Sequence, residues 1–180
     1  PWRADNEADL LEAHATLMTG LQDAPGQYRD GGVGVMAGTQ IIHMAPPASR
    51  VAHLMQDLLA WLKRTNEHPL IVSAVFHYEF EFIHPFSDGN GRMGRLWQSL
   101  ILSQWQSVFA QIPVESLIFE HQQAYYDAIQ RSTQNADSAV FIEFMLDMIA
   151  QALPTVAPQV SPQVTPQVAE LIHVLVGEMA

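Results

Sequence analysis

The sequence predicts an all-α fold, a mainly helical single domain that carries one small β-hairpin. Three observations predict it. Apolar residues recur at helical spacing in several segments, most regularly over 49–65. Two short extended candidates, 33–36 and 41–44, flank a turn that contains glycine. Beyond residue 153 prolines recur every four residues, so the compact domain is predicted to span 1–153.

The helices follow from the spacing of apolar side chains. They are expected at 7–22, 49–65, 69–83, 90–105, 115–132 and 138–152. Pro69 suits the first position of a helix. The segment 78–82 alternates like a strand, but the apolar face that runs from Val72 to Ile83 favours a helix. A turn-rich stretch, 23–34, precedes the hairpin.

The C-terminal part differs in composition. Pro-Gln-Val recurs over 154–167, which predicts an extended or turning linker without helix. An apolar segment follows, and we interpret 168–180 as the start of a further, truncated region.

Composition limits the classes of function. The 180 residues are 48% hydrophobic, which suffices for a core, and the chain has no cysteine for disulfides or metal ligation. A net charge of −11 disfavours nucleic acid and anionic membranes as partners. Apolar runs are too short to cross a bilayer. We therefore expect a cytoplasmic protein.

The segment 84–95 concentrates features that attract anions. A helix that begins near Asn90 presents unpaired backbone N–H groups and partial positive charge. Gly89 and Gly91 let a ligand approach the backbone closely. Arg92 and Arg95 lie three residues apart and therefore share a helix face. Polyphosphate is the anion that fits this pattern best.

Two further side chains predict chemistry at this anion site. Asp88 precedes the helix, and a carboxylate beside polyphosphate is a common ligand of Mg²⁺. His84 precedes the loop, and an imidazole accepts a proton from a hydroxyl near neutral pH. Together the residues suffice for attack of a hydroxyl on a phosphate.

The string His-Pro-Phe-Ser-Asp-Gly-Asn-Gly-Arg-Met-Gly-Arg over 84–95 resembles the Fic family motif at every fixed position. The similarity extends over about 10–153 and includes Tyr28-Arg29 and Tyr125-Tyr126. It implies a Fic-type helical domain that transfers AMP from ATP, with Mg²⁺, to a Ser, Thr or Tyr hydroxyl of a target protein.

The resemblance also implies roles for single residues. His84 would be the general base, Phe86 would point into the core, and Asp88 would bind Mg²⁺. The nucleotide would be contacted by Ser87, Asp88, Gly89, Asn90, Gly91, Arg92, Arg95, Tyr125 and Tyr126. The hairpin would align a target segment by strand addition, through Val35, Ile41, Ile42 and His43.

The sequence departs from the family pattern at two points. Thr133 stands where many relatives have asparagine. Many members also carry an inhibitory helix with Ser/Thr-x-x-x-Glu-Gly/Asn, whose glutamate pairs with the second motif arginine, and no glutamate here precedes glycine or asparagine. The inhibitory helix is then on a missing N-terminal part, on an antitoxin-like partner chain that supplies the glutamate, or absent. The oligomeric state stays open.

Several alternatives remain from the sequence. Residues 89–94 also fit the dinucleotide pattern G-x-G-x-x-G, with Glu115 as its ribose-binding acid. His77 and Glu81, with His84, are a weak zinc pattern, and we expect buried structural roles for the first two. Another phosphate-linked transfer, removal of AMP, or nucleotide sensing without transfer are the alternative functions on this scaffold.

Overall fold

The computed structural model describes residues 2–37 and 40–156, which form seven α-helices, one 3-10 helix and one hairpin. The elements, in chain order, are α1 (Glu7–Met18), β1 (Gly34–Ala37), β2 (Gln40–Met44), α2 (Ala48–Arg64), α3 (Pro69–Ile83), α4 (Asn90–Trp105), the 3-10 helix (Ser107–Gln111), α5 (Val114–Glu120), α6 (Gln122–Asn135) and α7 (Ala139–Val156). The predicted all-α class is confirmed.

The boundaries of three central helices agree with the sequence prediction. The predictions for α3 and α4 are confirmed at both ends, and α2 is displaced by one residue. The helix predicted at 7–22 is shorter: it ends at Met18, because the chain leaves helical geometry at Thr19, where ψ is 123°, and Gly20 follows with a φ of 77°. The helix predicted at 115–132 is wrong as one element, since the chain leaves helical geometry at His121.

The last helix extends further than predicted. α7 continues to Val156, so the predicted linker start at 154 lies within its final turn. A proline near the end of a helix removes only one backbone hydrogen bond, which explains how the helix continues there. The remainder of the linker, 157–167, and the region 168–180 lie outside the described residues and stay predictions.

α3 is the central helix of the domain. Apolar residues surround it on nearly every side, which is typical of a helix buried by its neighbours. It packs against α2, α4 and α7. One core cluster lies on the side of α1 and α2 around Phe76 and Trp97, and a second lies on the side of α6 and α7 around Phe141.

The connection between α3 and α4 places the sequence motif. The C-terminus of α3 and the N-terminus of α4 meet at the loop 84–89, and the two helices pack side by side. Among the described residues, no helix is long and apolar enough to cross a membrane.

The predicted hairpin is confirmed. β1 and β2 pair antiparallel, with Gly34 opposite Met44 and Val35 opposite His43. The register shifts between Val35 and Met36, so the strand carries a bulge. Residues 38 and 39 and the side chains of 35–43 lie outside the described part of the structure. The predicted target-binding side chains of Val35, Ile41, Ile42 and His43 are among them.

Phe141 allows a direct test of the second core cluster. Its ring is fully buried against Tyr78, His77 and Tyr125. Phe141→Ala should lower the free energy of unfolding by about 3–5 kcal/mol, because it removes a buried ring and leaves a cavity. The same substitution at Phe119, which is 78% exposed, should change it by less than about 0.5 kcal/mol. Urea unfolding measures both, and equal effects would contradict the packing described.

Candidate active site

The loop 84–89 is closed by one buried amide. The backbone N–H of Phe86 donates to Oδ1 of Asn90 at 2.8 Å, and Nδ2 of Asn90 donates back to the Phe86 carbonyl at 2.8 Å. The Phe86 ring is fully buried, as predicted. Asn90 was predicted to contact nucleotide. Its side-chain amide is engaged by the loop, because both of its polar atoms bond the Phe86 backbone, and the nucleotide contact stays a prediction.

A histidine from α1 supports the same loop. The Gly26 N–H donates to Nδ1 of His14 at 2.8 Å, so Nε2 carries the proton and donates to the Asp88 carbonyl at 3.0 Å. The His14 ring stacks on Phe86 with centroids 3.6 Å apart. Burial lowers the pKa of His14, which favours this neutral form. The sequence analysis did not identify this role, because His14 lies within the predicted helix 7–22 and outside every motif.

Arg29 joins the hairpin to the end of α3. Its guanidinium donates to the carbonyls of His84 at 2.7 Å, Pro46 at 2.6 Å, Gly31 at 2.8 Å and Ile83 at 3.2 Å. The residue is 4% exposed, and these carbonyls, in place of a carboxylate, accept the hydrogen bonds of its buried guanidinium. The resemblance pointed to Arg29, and the structure shows what it binds.

His84 caps the C-terminus of α3 in the left-handed conformation, with φ 51° and ψ 62°. Its Nδ1 lies 3.3 Å from the Glu81 carbonyl and 3.7 Å from Oε2 of the same residue. The imidazole is 17% exposed. The ring therefore stands at the border between the protein interior and an open cavity.

The first turn of α4 presents backbone donors. Its N-cap residue, Gly89, has a φ of 83°, and no side chain in the described structure caps the turn. That φ favours glycine, and a Cβ at Gly89 would also lie 2.7 Å from Sδ of Met18. Asp88 accepts the Gly89 N–H at 2.6 Å through Oδ1, and its side chain is 66% exposed.

The two motif arginines have carboxylate partners. Nη2 of Arg92 lies 3.4 Å from Oδ2 of Asp88. Arg95 forms a two-bond pair with Glu115, through Nε to Oε2 and through Nη2 to Oε1 at 2.7 Å. Sequence reasoning missed the Arg95–Glu115 pair, because nothing in the sequence connects positions twenty residues apart across a helix break.

The dinucleotide interpretation of 89–94 is wrong. That fold requires a parallel sheet, whereas the described residues contain one antiparallel hairpin. Glu115, the proposed ribose acid, pairs with Arg95 instead. The zinc pattern is also unsupported, because residues 2–37 and 40–156 contain no group of three or more histidines and acids that could hold a metal ion.

The paired tyrosines divide into one buried and one half-buried ring. Tyr125 donates to Nε2 of His77 at 3.1 Å, and Nδ1 of His77 donates to Gln98 at 2.7 Å. Tyr126 is half-buried, and its ring contacts Tyr125 edge to face. Thr133, where relatives have asparagine, lies 3.3 Å from the Tyr78 hydroxyl.

One cavity of about 330 Å³ collects the predicted residues at the N-terminus of α4. Its lining residues are Gly34, Glu81, His84, Ser87, Asp88, Gly89, Asn90, Gly91, Arg92, Arg95, Tyr125 and Tyr126. Every position predicted for catalysis or nucleotide contact is among them. Glu81, which we had interpreted as purely structural, also borders the cavity.

The fold and the site define a class of protein: a helical domain in which a histidine lies beside a helix N-terminus that opens on a cavity. The family model described as Fic/DOC matches residues 5–102. The chain belongs to the Fic/DOC family.

Named relatives agree with this assignment. The Protein adenylyltransferase Fic of Culex quinquefasciatus is 30% identical over 151 residues, which are 81% of this chain and 28% of that protein. Its namesake from Aedes aegypti is 30% identical over 149 residues, with the same coverage. The chain thus spans just over a quarter of the length of these relatives.

Solved structures give the same fold. A Fic family protein from Desulfovibrio desulfuricans G20 is 54% identical with a TM-score of 0.84, over 91% of this chain and 51% of that chain. Fic-1 of C. elegans is 22% identical with a TM-score of 0.64, over 86% of this chain and 43% of that chain, and it supports the fold alone.

The buried His77 predicts how stability depends on pH. Burial lowers the pKa of His77 to about 3, so between pH 6.5 and 3 the unfolded chain binds a proton that the folded chain does not. Stability should therefore fall as the pH falls through this window. His77 alone should contribute about 2 kcal/mol of that loss between pH 7 and 5.

Urea unfolding of His77→Gln at both pH values measures this contribution. The variant should lose less stability on acidification than the wild type. His53→Gln is the matched control, since the His53 side chain is 74% exposed. An equal loss in the wild type and His77→Gln would contradict the prediction.

Proposed function

We propose that this chain transfers AMP from Mg·ATP to a hydroxyl side chain of a target protein, with His84 as the general base. The observation that carries the proposal is the cavity at the N-terminus of α4. It brings an imidazole, a carboxylate and two guanidinium groups to one set of unpaired backbone donors. The adenylyltransferase names of the relatives support the same reaction class.

The triphosphate would bind at the first turn of α4. The N–H groups of that turn have no intrahelical acceptor, and the helix dipole adds positive potential. Arg92 and Arg95 border the same cavity, where guanidinium groups bind phosphate oxygens in a two-bond geometry. Tyr125 and Tyr126 border it too and would contact the nucleoside.

Asp88 fits the metal that such a nucleotide carries. Its carboxylate is exposed at the cavity beside the backbone donors, and only Oδ1 is engaged by the backbone. Bound Mg²⁺ would neutralise phosphate charge and orient the polyphosphate. In that state Oδ2 would exchange its long contact with Arg92 for the metal, which leaves Arg92 available to the phosphates.

The transfer itself would need one proton acceptor. His84 takes the proton of the target hydroxyl through Nε2 while that oxygen forms a bond to the α-phosphorus. The bond from the α-phosphorus to the bridging oxygen breaks, and pyrophosphate leaves with its electron pair. The products are the AMP ester of the hydroxyl, pyrophosphate and protonated His84, which returns its proton to solvent.

The hairpin would hold the target. Gly34 at its base borders the cavity. The Arg29 guanidinium donates to the carbonyls of Gly31 and Pro46, on either side of the hairpin, and to the carbonyl of His84 at the start of the motif loop. A segment added to a strand edge is bound through its backbone, which fits recognition of an exposed loop. Val35, Ile41, Ile42 and His43 remain the proposed contacts.

Labelled nucleotides distinguish this reaction from its alternatives. The chain is incubated with Mg²⁺, cell lysate and ATP labelled at either the α- or the γ-phosphate, with UTP and GTP in parallel. AMP transfer predicts label on protein from α-labelled ATP alone. Label from the γ-phosphate would indicate a kinase, and binding without any transfer would indicate a nucleotide sensor.

His84→Ala tests the general base. The rate of AMP transfer should fall by at least about 100-fold, because proton removal from the hydroxyl loses its acceptor. The Kd for Mg·ATP, measured by calorimetry, should stay within about twofold. His53→Ala, an exposed histidine on α2, serves as the control and should retain full activity. Full activity in His84→Ala would remove it as the base.

Glu115→Gln tests the ion pair at Arg95. Glu115 occupies the guanidinium fork that a phosphate would take, so its removal should tighten Mg·ATP binding. The glutamate is 64% exposed, so the gain should be at most about fivefold. Glu120→Gln, at the exposed end of the same helix, should leave the Kd unchanged. Weaker binding in Glu115→Gln would instead mean that the glutamate holds Arg95 in place.

A further inference from the structure

Glu81 is a buried carboxylate whose hydrogen-bonding capacity is only partly satisfied among the described residues. The residue is 4% exposed, and its Oε1 has no hydrogen-bond partner among the described residues. Buried acceptors without a partner are rare in native proteins, so this one calls for an explanation. Nearby polar groups do not need it, because His77 is bonded on both nitrogens by Gln98 and Tyr125.

The position of Glu81 relates it to the proposed base. It lies three residues before His84 on the last turn of α3, and its Oε2 is 3.7 Å from Nδ1 of the imidazole. The Glu81 carbonyl lies 3.3 Å from the same nitrogen. A carbonyl only accepts hydrogen bonds, so Nδ1 carries a proton, and in the neutral ring Nε2 then holds the lone pair.

We propose that Glu81 is a positioning residue for AMP transfer, which holds His84 in the Nδ1–H tautomer and stabilises the imidazolium that forms when Nε2 takes the proton. A negative charge at 3.7 Å favours the protonated ring. It also orients Nε2 away from α3. The inference rests on the proposed function, because it assigns a role to the same histidine.

The packing around Glu81 preserves room for its carboxylate. A Cβ at Gly94 would lie 3.0 Å from Oε1 and 2.9 Å from Cδ2 of His77, so a larger residue there would displace one of them. The family motif allows any residue at position 94. In this chain glycine is explained by the space that the side chains of Glu81 and His77 occupy beside it.

The charged state of Glu81 depends on its neighbours. Burial raises its pKa to about 7, and the Arg95 guanidinium opposes that rise. The groups that face it are Arg95 from α4, Tyr125 from α6, and His77 and His84 on its own helix. At pH 8 the carboxylate is largely ionised, so the wild type and the Glu81 variant are best compared at that pH.

Nitrogen-15 NMR tests the inference without any transfer reaction. His84 signals are assigned by their loss in His84→Ala. The wild type should show the Nδ1–H tautomer at pH 8. In Glu81→Gln the titration midpoint of His84 should move to lower pH by about one unit, because the imidazolium loses a neighbouring negative charge. An Nε2–H tautomer in the wild type, or an unchanged midpoint in Glu81→Gln, would overturn the proposal.

Kinetics supply the second measurement. Glu81→Gln should lower kcat for AMP transfer about tenfold at pH 8 and leave the Kd for Mg·ATP unchanged, whereas a merely structural role would impair both. Glu79→Gln is the matched control, because Glu79 lies on the same helix but borders the groove between α2 and α3. An unchanged kcat in Glu81→Gln would count against the proposal. Absence of transfer in every variant would refute the proposed function, while the NMR result would still decide the role of Glu81.

Discussion

The arrangement of the site depends on the buried guanidinium of Arg29. His84 has a positive φ, a conformation that costs free energy in a residue with a side chain. Its carbonyl and that of Ile83 both accept from Arg29, and the Arg29 N–H donates to the Pro85 carbonyl at 2.9 Å. These bonds hold the chain where it leaves α3. Because the same group binds Gly31 and Pro46, the base of the hairpin and the motif loop form one unit.

Electrostatics explain why so acidic a chain still presents an anion site. The net charge is −11, yet Arg29, Arg92 and Arg95 lie around one loop at the N-terminus of α4. Each guanidinium is engaged in the structure, by carbonyls, by Asp88 or by Glu115. Under the proposed function, phosphate or metal would replace the last two contacts, whereas the carbonyl contacts of the deeply buried Arg29 are structural.

Much of this arrangement could be predicted from the sequence, for identifiable reasons. α2, α3 and α4 have apolar patterns or boundary signals that are local, and their limits were predicted within a residue. The motif begins at the end of α3 and continues into α4, so the limits of these two helices also predicted where it lies. The split at His121 could not be predicted, because no proline or glycine marks it and the bend serves contacts with α7. The inward turn of Asn90 and the Glu115 pair also depend on tertiary contacts that leave no local signal.

The contacts of the N-terminal segment have a consequence for dissection of the domain. Trp97 Nε1 donates to the Ala4 carbonyl at 2.8 Å, and His14 bonds the Asp88 carbonyl from α1. A fragment trimmed to the hairpin, motif and later helices would therefore lose the hydrogen bond to Trp97 in the aromatic core and the hydrogen bond from His14 to the motif loop. The loop 84–89 therefore owes part of its geometry to His14, which lies 74 positions before Asp88 in the chain.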